Sequence, residues 1–215
     1  MKEKEINLTQ MQPTETQVPK IECASPKDFK LLRTLGGNLD GVGSVSWSPD
    51  GKYLASGSYD KAIATCHPSD RDFELNEDGD NAVSISIWDT NSGEKIKTLE
   101  EYSGIVFSVS WSPDGKYLAS DSGDDTIIIW DAKSGEKLKT LEGHSIIVNS
   151  VSWSPDGKYL ASGSIDDTII IWDAKSGEKL KTLEVHSDGV ESVCWSPDGK
   201  YLASGSWDGT VKIWA

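Results

Sequence analysis

One decapeptide, Trp-Ser-Pro-Asp-Gly-Lys-Tyr-Leu-Ala-Ser, occurs four times in the 215 residues and constrains the fold more than any other feature. The last two intervals between its copies are 42 residues, and the first is 64 residues because it carries an insertion of 22 residues. Segments 111–142 and 153–184 differ at only two of 32 positions. A period of this length predicts stacked units that share one core. The copies begin at Trp47, Trp111, Trp153 and Trp195.

Each repeat contains four short segments with strand character, as the third repeat illustrates. Segment 150–153 alternates small and large side chains, a tight Ser-Pro-Asp-Gly turn follows, and 159–164 forms a second strand. Segment 168–172 is a β-branched run typical of a buried strand, and 178–183 is the fourth strand. Helix is disfavoured because no segment between the turns keeps a period of about 3.6 residues.

The histidine and tryptophan spacing adds a family resemblance. Gly143-His144, followed 28 residues after the histidine by Trp172-Asp173, resembles the Gly-His…Trp-Asp signature of WD40 repeats. The resemblance covers residues 29–215 and implies an all-β propeller with four blades of four antiparallel strands per chain. Residues 1–27 are predicted to be a disordered N-terminal tail. Residues 28–215 would then form the propeller, with an inserted loop at 61–82.

Ring closure is the open question of this fold. Segment 30–35 aligns with the outer strand 136–141, and the last repeat runs only through its third strand, 211–215. We therefore expect the N-terminal strand to complete the last blade, which also removes an exposed sheet edge. Because the family usually closes with about seven blades, four are few. The four blades close alone, or two chains exchange strands in an eight-bladed homodimer, which we favour; a fragment of a longer protein is the third alternative.

Composition restricts the partners and the compartment. The net charge is -14, which repels nucleic acid and anionic membrane surfaces and favours basic protein partners. No apolar run approaches the ~20 residues of a membrane span, and segment 1–20 lacks the apolar core of a signal peptide. Three cysteines without CxxC spacing favour a reducing, cytoplasmic compartment over a disulfide framework.

Two repeats carry side chains that superficially suggest hydrolytic catalysis. The resemblance implies instead that these residues form a buried network from indole to serine to histidine to aspartate. Such a repeated set without oxyanion donors is not a hydrolase site, so we expect no enzyme activity. The two sets are His144, Ser162, Asp166 and Trp172, and His186, Ser204, Asp208 and Trp214.

The first two repeats depart from this network. Asn38 and Tyr102 occupy the histidine positions of repeats one and two, so blades 1 and 2 are predicted to be looser. The insertion contains Cys66-His67 and acidic residues at calcium-loop-like spacing, but Ile85 stands where a bidentate glutamate is needed. One cysteine and one histidine are too few for zinc. We expect a solvated loop with no metal and no cofactor.

Differences between the repeats indicate where partners bind. If the strands of a repeat are called a to d, connections in a meander alternate between its two ends. The uniform a–b and c–d turns then share one end, and the divergent d–a and b–c loops share the other. Large rigid side chains on that divergent end are the expected anchors, and Trp207 is the one tryptophan outside the scaffold columns. The predicted partner-binding residues are Tyr59, Phe107, Ile147, Asn149, Ile165, Glu191 and Trp207.

Two functions follow from this pattern. The first is a non-catalytic scaffold that docks other proteins on the end formed by the d–a and b–c connections. The alternative is a structural unit that assembles with its own copies. A pull-down separates them, because a scaffold captures a foreign protein and a self-assembling unit recovers only itself.

Overall fold

The computed structural model describes residues 31–36, 41–58, 83–101, 105–121, 123–184 and 186–215. The predicted tail 1–27 and insertion 61–82 lie outside the described residues. The chain divides into two compact units, 1–34 and 35–215, and the second contains every strand of the described residues. No helix among those residues has the length and apolar character needed to cross a membrane.

The strands form four antiparallel meander sheets, which we call blades 1 to 4. Blade 1 contains β1 (Val42–Trp47), β2 (Tyr53–Ser58), β3 (Val83–Asp89) and β4 (Lys95–Glu101). Blade 2 contains β5 (Val109–Trp111), β6 (Tyr117–Asp121), β7 (Ile127–Asp131) and β8 (Lys137–Leu141). Blade 3 contains β9 (Val148–Trp153), β10 (Tyr159–Ser164), β11 (Ile169–Asp173) and β12 (Lys179–Leu183). Blade 4 contains β13 (Val190–Trp195), β14 (Leu202–Ser206) and β15 (Val211–Trp214).

The Ser-Pro-Asp-Gly turn fixes the first hairpin of each blade, as in blade 3. The Ser154 hydroxyl donates to Asp156 Oδ1 at 2.7 Å and accepts the Tyr159 N–H at 2.9 Å. Gly157 adopts a φ of 71°, a left-handed conformation that glycine tolerates without steric penalty. The turn therefore sets the register in which Leu160 pairs with Trp153.

Apolar side chains fill the junctions between successive blades. Val148, Val151 and Trp153 of blade 3 share one buried cluster with side chains of blade 2 that include Ile127 and Ile129. Equivalent clusters join blade 1 to blade 2 and blade 3 to blade 4. The core is therefore a series of similar junctions, and each blade is stabilised mainly by its neighbours.

Blade 2 contains an irregularity that the repeat pattern did not predict. Asp121 stands where the other blades have glycine, and its Oδ1 accepts the Ser108 N–H at 3.0 Å. That N–H is consequently taken from the strand ladder, and β5 begins only at Val109. Asp121 is fully buried, and its Oδ2 has no hydrogen-bond partner among the described residues.

The described residues do not form the expected fourth strand of blade 4. Its sheet has three strands, and residues 31–36 belong to no strand. The physical reason lies in the junctions, where outer-strand leucines such as Leu99 and Leu141 pack against the following blade. Within the described residues, β4 and β8 each have a following blade beside them, whereas β15 does not.

Candidate partner-binding face

Backbone hydrogen bonds join the connections of each blade at two separate ends. At one end, the Ala174 N–H of the c–d turn donates to the Lys158 carbonyl of the a–b turn at 2.9 Å. At the other end, the Ile165 N–H of the b–c turn donates to the Ile147 carbonyl of the d–a loop at 3.0 Å. We call the second end the loop face. Two of the predicted residues are thereby brought together on it.

Trp207 is the most prominent aromatic side chain of the loop face. It is 51% exposed, and its N–H donates to the Gly189 carbonyl at 2.9 Å. The indole ring lies over Gly189, where an added Cβ would come within 3.1 Å of the ring and 3.3 Å of Ile165 Cα. Gly189 thus lets the b–c turns of blades 3 and 4 approach one another, with half-buried Ile165 beside Trp207.

The two predicted polar residues also meet across neighbouring blades. Asn149 is half-buried at the start of β9, and Glu191 is exposed at the start of β13. The Asn149 amide donates to Glu191 Oε2 at 3.3 Å and to the Val190 carbonyl at 3.4 Å. This pair places an amide and a carboxylate on the adjacent inner strands β9 and β13.

Three of the predicted anchors have a different status. The side chain of Ile147 is buried, whereas its neighbour Ile146 is exposed, so Ile146 is the isoleucine that a partner can reach. Phe107 is half-buried beside Asp121, and its N–H hydrogen-bonds to that carboxylate. Tyr59 lies outside the described residues, although the strand ends that flank the insertion, Ser58 and Val83, are on the loop face side of blade 1.

Carboxylates give the loop face a negative potential. Burial raises the pKa of Asp125, and the negative charges of Asp124 and Asp166 raise it further. Asp124 belongs to blade 2 and Asp166 to blade 3, so carboxylates of two neighbouring blades act on Asp125. Repulsion among the carboxylates would be relieved by a bound cationic group.

The histidine sets of blades 3 and 4 form the buried networks that the resemblance implied. In blade 3, the Trp172 indole donates to Ser162 Oγ at 2.8 Å, Ser162 Oγ lies 2.8 Å from His144 Nε2, and His144 Nδ1 lies 3.0 Å from Asp166. Blade 4 repeats this with Trp214, Ser204, His186 and Asp208, at 3.0, 2.8 and 2.8 Å. Both histidine side chains are 1% exposed. The serine hydroxyls are therefore structural groups inside the blades.

The lowered pKa values of Asp166 and Asp208 show that these networks stabilise the charged form of both carboxylates. Burial raises the pKa of Asp166, but hydrogen bonds from His144, Thr168 and the Ser145 backbone outweigh it and leave the pKa well below its ordinary value. Hydrogen bonds, led by that from Thr210, likewise lower the pKa of Asp208. The b–c turn is thus fastened to the d–a loop in both blades, which rigidifies the loop face there.

Blades 1 and 2 retain part of this arrangement. Trp88 donates to Ser56 at 3.0 Å, and Trp130 donates to Ser120 at 2.9 Å. Asn38 and Tyr102, which occupy the histidine positions, lie outside the described residues. The looseness predicted for these two blades therefore stays a prediction.

A cavity of about 560 Å³ lies between blades 2 and 3, at the opposite end from the loop face. Its floor includes the stacked rings of Tyr117 and Trp153, whose centroids are 6.3 Å apart. Similar grooves lie between blades 1 and 2 and between blades 3 and 4. Grooves of this kind thus recur at the three junctions between the described blades. Among the described residues, no cluster of three metal-ligating side chains occurs.

The comparison with protein families decides the identity. The model described as "WD domain, G-beta repeat" matches residues 29–64, 93–131, 135–173 and 177–215. The chain is a WD40-repeat protein. Each of the last three matches spans the outer strand of one blade and the first three strands of the next blade.

Relatives of this WD40 protein include larger proteins. "Protein HIRA" of Dictyostelium discoideum is 38% identical over 100 residues, which are 46% of this chain and 8% of the relative. A chromatin assembly factor 1 subunit of Gallus gallus is 31% identical over 98 residues, which are 46% of this chain and 13% of the relative. The matched segments are thus a small part of both relatives.

Solved structures confirm the WD40 fold. The crystal structure of the RRP9 WD40 repeats matches with a TM-score of 0.70 and 25% identity, covering 85% of this chain and 50% of that chain. The structure of U3-55K matches equally, with a TM-score of 0.70, 25% identity, and coverage of 85% and 51%. Four blades of this WD40 protein therefore correspond to about half of each solved chain.

Proposed function

We propose that this chain is a non-catalytic protein-binding scaffold that docks partner proteins on the loop face. The observation that supports it is the exposed Trp207, held over Gly189 next to Ile165. A large rigid aromatic ring gains much buried area on binding and loses little conformational entropy. It is placed on the end of the blades where the repeats differ, whereas the opposite end is nearly uniform.

The partner that fits this face is a protein segment with a basic residue beside an apolar one. Trp207 and Ile165 offer the apolar surface, and Glu191 supplies a carboxylate nearby. The net charge of -14 attracts cationic segments from a distance and increases their association rate. The relative named as part of a chromatin assembly factor belongs to an assembly, which agrees with a scaffold role for the repeats it shares with this chain.

Catalysis is not part of the proposal because the most reactive side-chain sets are already committed. Ser162 Oγ accepts the Trp172 indole N–H and contacts His144 in the interior of blade 3. A nucleophile needs access to substrate and an oxyanion-stabilising site beside it. Both networks instead use their hydrogen bonds to hold two loops together.

Affinity capture with Trp207→Ala tests the scaffold function. The tagged chain is used to capture proteins from a lysate of its source cells, and captured proteins are identified by mass spectrometry. Leu180→Ala is the matched control, because Leu180 is 50% exposed on the outer strand β12, away from the loop face. We expect partners retained by wild type and Leu180→Ala to be reduced at least ~10-fold by Trp207→Ala, the effect of losing an interface anchor.

The same variants distinguish binding from folding. Because half of the Trp207 side chain is exposed, its removal should shift the melting temperature by no more than Leu180→Ala does. Equal capture by all three proteins would contradict the docking face. A large fall in melting temperature for Trp207→Ala alone would show that the ring serves the core.

A further inference from the structure

Every internal junction is built from the same two surfaces. The inner strand of one blade contributes two valines and a tryptophan, and the preceding blade contributes its third strand. In the junction of blades 2 and 3, Val151 and Trp153 are 5% and 8% exposed, and Ile127 is 0% exposed. At an internal junction, each of these two surfaces is therefore buried by the other.

The first of these surfaces is uncovered on blade 1. We call Val42, Val45 and Trp47 the leading flank, since they are the blade 1 equivalents of Val148, Val151 and Trp153. Val45 and Trp47 are 60% and 59% exposed. In the part of the chain that the structure describes, no blade precedes them, so an aromatic and two aliphatic side chains face solvent together.

The second surface is uncovered on blade 4. We call Tyr201, Val211 and Ile213 the trailing flank, and Val211 and Ile213 are 75% and 74% exposed. Gly205, which pairs with Val211 on the neighbouring strand, has no heavy atom within 4 Å of an added Cβ. The equivalent Cβ at Gly57 would lie 2.5 Å from Val106, and that at Gly163 would lie 2.6 Å from Val190. The open space at Gly205 is the space that a following blade would occupy.

The leading and trailing flanks are the two halves of one junction. We propose that a second copy of this chain docks its leading flank onto the trailing flank, and that the two copies close by two-fold symmetry into an eight-bladed ring. The leading flank of each copy then packs on the trailing flank of the other, which makes two junctions between the copies. Because both flanks of both copies are covered, assembly stops at two chains.

Polar groups support the same register as the apolar flanks. The N–H groups of Val109, Val151 and Val193 donate to serine hydroxyls of the preceding blade at 3.1 Å in each case. Ser192 is the next hydroxyl in that series, and it is exposed. It stands where it would accept the Val45 N–H of the second copy.

The tryptophan column extends this correspondence. Trp153 Nε1 donates to the Ser110 carbonyl at 3.1 Å, and Trp195 Nε1 donates to the Ser152 carbonyl at 3.2 Å. Trp111 Nε1, at the junction of blades 1 and 2, has no such partner among the described residues. If the junctions on either side of blade 3 are followed, Trp47 of the second copy would donate to the Cys194 carbonyl. Tyr159 stacks on Trp195 with ring centroids 6.4 Å apart, and exposed Tyr201 offers the same platform to Trp47.

The size of the arc favours a second copy as the occupant. The chain covers 50% of the solved WD40 chain on which it superposes, so a chain of that fold has room for about as many residues again. Eight blades require about 45° between neighbours, within the known range for propellers. A second copy supplies four blades and both matching flanks.

Gly205→Val tests the junction without disturbing the single chain. Sedimentation velocity is measured over an about 100-fold range of concentration. Wild type is expected to reach twice the single-chain mass of 23.4 kDa, and Gly205→Val is expected to keep that single mass with an unchanged circular dichroism spectrum. The control Gly163→Val should unfold at lower temperature, because its side chain meets Val190 within the chain.

Three outcomes would overturn the proposal. They are a single-chain mass for wild type at all concentrations, a pair that Gly205→Val leaves intact, and an open series of larger assemblies. Alkylation of Cys194 supplies a second measurement, made in a Cys23→Ser and Cys66→Ser background. Cys194 is exposed in the single chain, so the pair should protect it at least ~10-fold. Equal alkylation rates for the pair and the single chain would place the contact elsewhere.

Discussion

Asp121 is the residue whose individual chemistry most alters the repeat. Gly57, Gly163 and Gly205 occupy its position in the other blades, where the strand ladder continues. In blade 2 the carboxylate takes the Ser108 N–H and shortens β5 to three residues. One substitution therefore creates a local departure in an otherwise repeated scaffold, next to the loop face.

Asp121→Gly should stabilise the protein. It removes a buried carboxyl whose Oδ2 lacks a partner among the described residues, and it restores the sequence of blade 3 at this point. We expect the free energy of unfolding to rise by about 1–3 kcal/mol, the usual penalty of an unsatisfied buried polar group. Urea denaturation measures it, and a loss of stability would show that the Ser108 contact outweighs the desolvation.

The stabilisation should depend on pH with a defined sign. Burial raises the pKa of Asp121 well above its ordinary value, so the folded state holds the proton more tightly than the unfolded state. Proton binding to Asp121 contributes its full amount to the free energy of unfolding below the unfolded pKa of about 3.9. This contribution is lost as the pH rises through the folded pKa. The advantage of Asp121→Gly should grow over that interval. Asp121→Asn is the control, because its difference from Asp121→Gly should be constant with pH.

At the scale of the element, segments 111–142 and 153–184 form a natural comparison. They differ only at Asp121/Gly163 and Gly123/Ile165, so their intrinsic exchange rates are almost equal. Blade 3 has six-residue β9 and a complete histidine network, whereas blade 2 has three-residue β5. The local stability of the two blades should therefore differ although their sequences hardly do.

Hydrogen exchange should show faster exchange in β5 and β6 than in β9 and β10. Fewer ladder hydrogen bonds at the start of blade 2 lower the free energy of local opening there. The measurement compares matched amides, such as Ala119 in β6 with Ala161 in β10, by mass spectrometry or NMR. Equal protection factors in the two blades would contradict the predicted looseness of blade 2.

The sequence predicted the strands far better than their consequences for the site. The repeat and its turn chemistry located the strands of blade 3 to within about two residues, because alternation and turn residues act locally. The burial of Ile147 could not be inferred, since two adjacent isoleucines look alike in sequence and only packing separates them. Asp121 was visible as one of two differences between near-identical segments, and its contrast with glycine was the available signal.

For the whole molecule, the net charge of -14 separates two kinds of binding. Docking of a basic segment on the loop face would be favoured by long-range attraction. Docking of a second copy would bring two equally acidic chains together and would depend on the buried flanks. Salt screens both the attraction of a basic partner and the repulsion between two copies of the chain. It therefore weakens binding of the partner and strengthens pairing of the copies.

Raising the ionic strength from about 0.05 M to 0.5 M should therefore weaken partner capture and strengthen pairing of the chain with itself. The expected loss of partner affinity is several-fold, because screening lowers the association rate of oppositely charged proteins. Titration of a captured partner and sedimentation of the chain alone are the two measurements. Partner affinity that does not change with salt would show that the loop face binds through apolar contacts only.

The uniform junctions have a consequence for how such a chain varies over time. Each junction between blades contains a hydrogen bond of 3.1 Å from a valine N–H to a serine hydroxyl. These contacts would allow any blade to follow any other, so only the order of the repeats in the sequence determines which blades are neighbours. Duplication of one repeat would lengthen the arc without inventing a contact. Substitutions can then accumulate in the connecting loops, where a changed residue alters which partner is bound and leaves the packing of the blades unchanged.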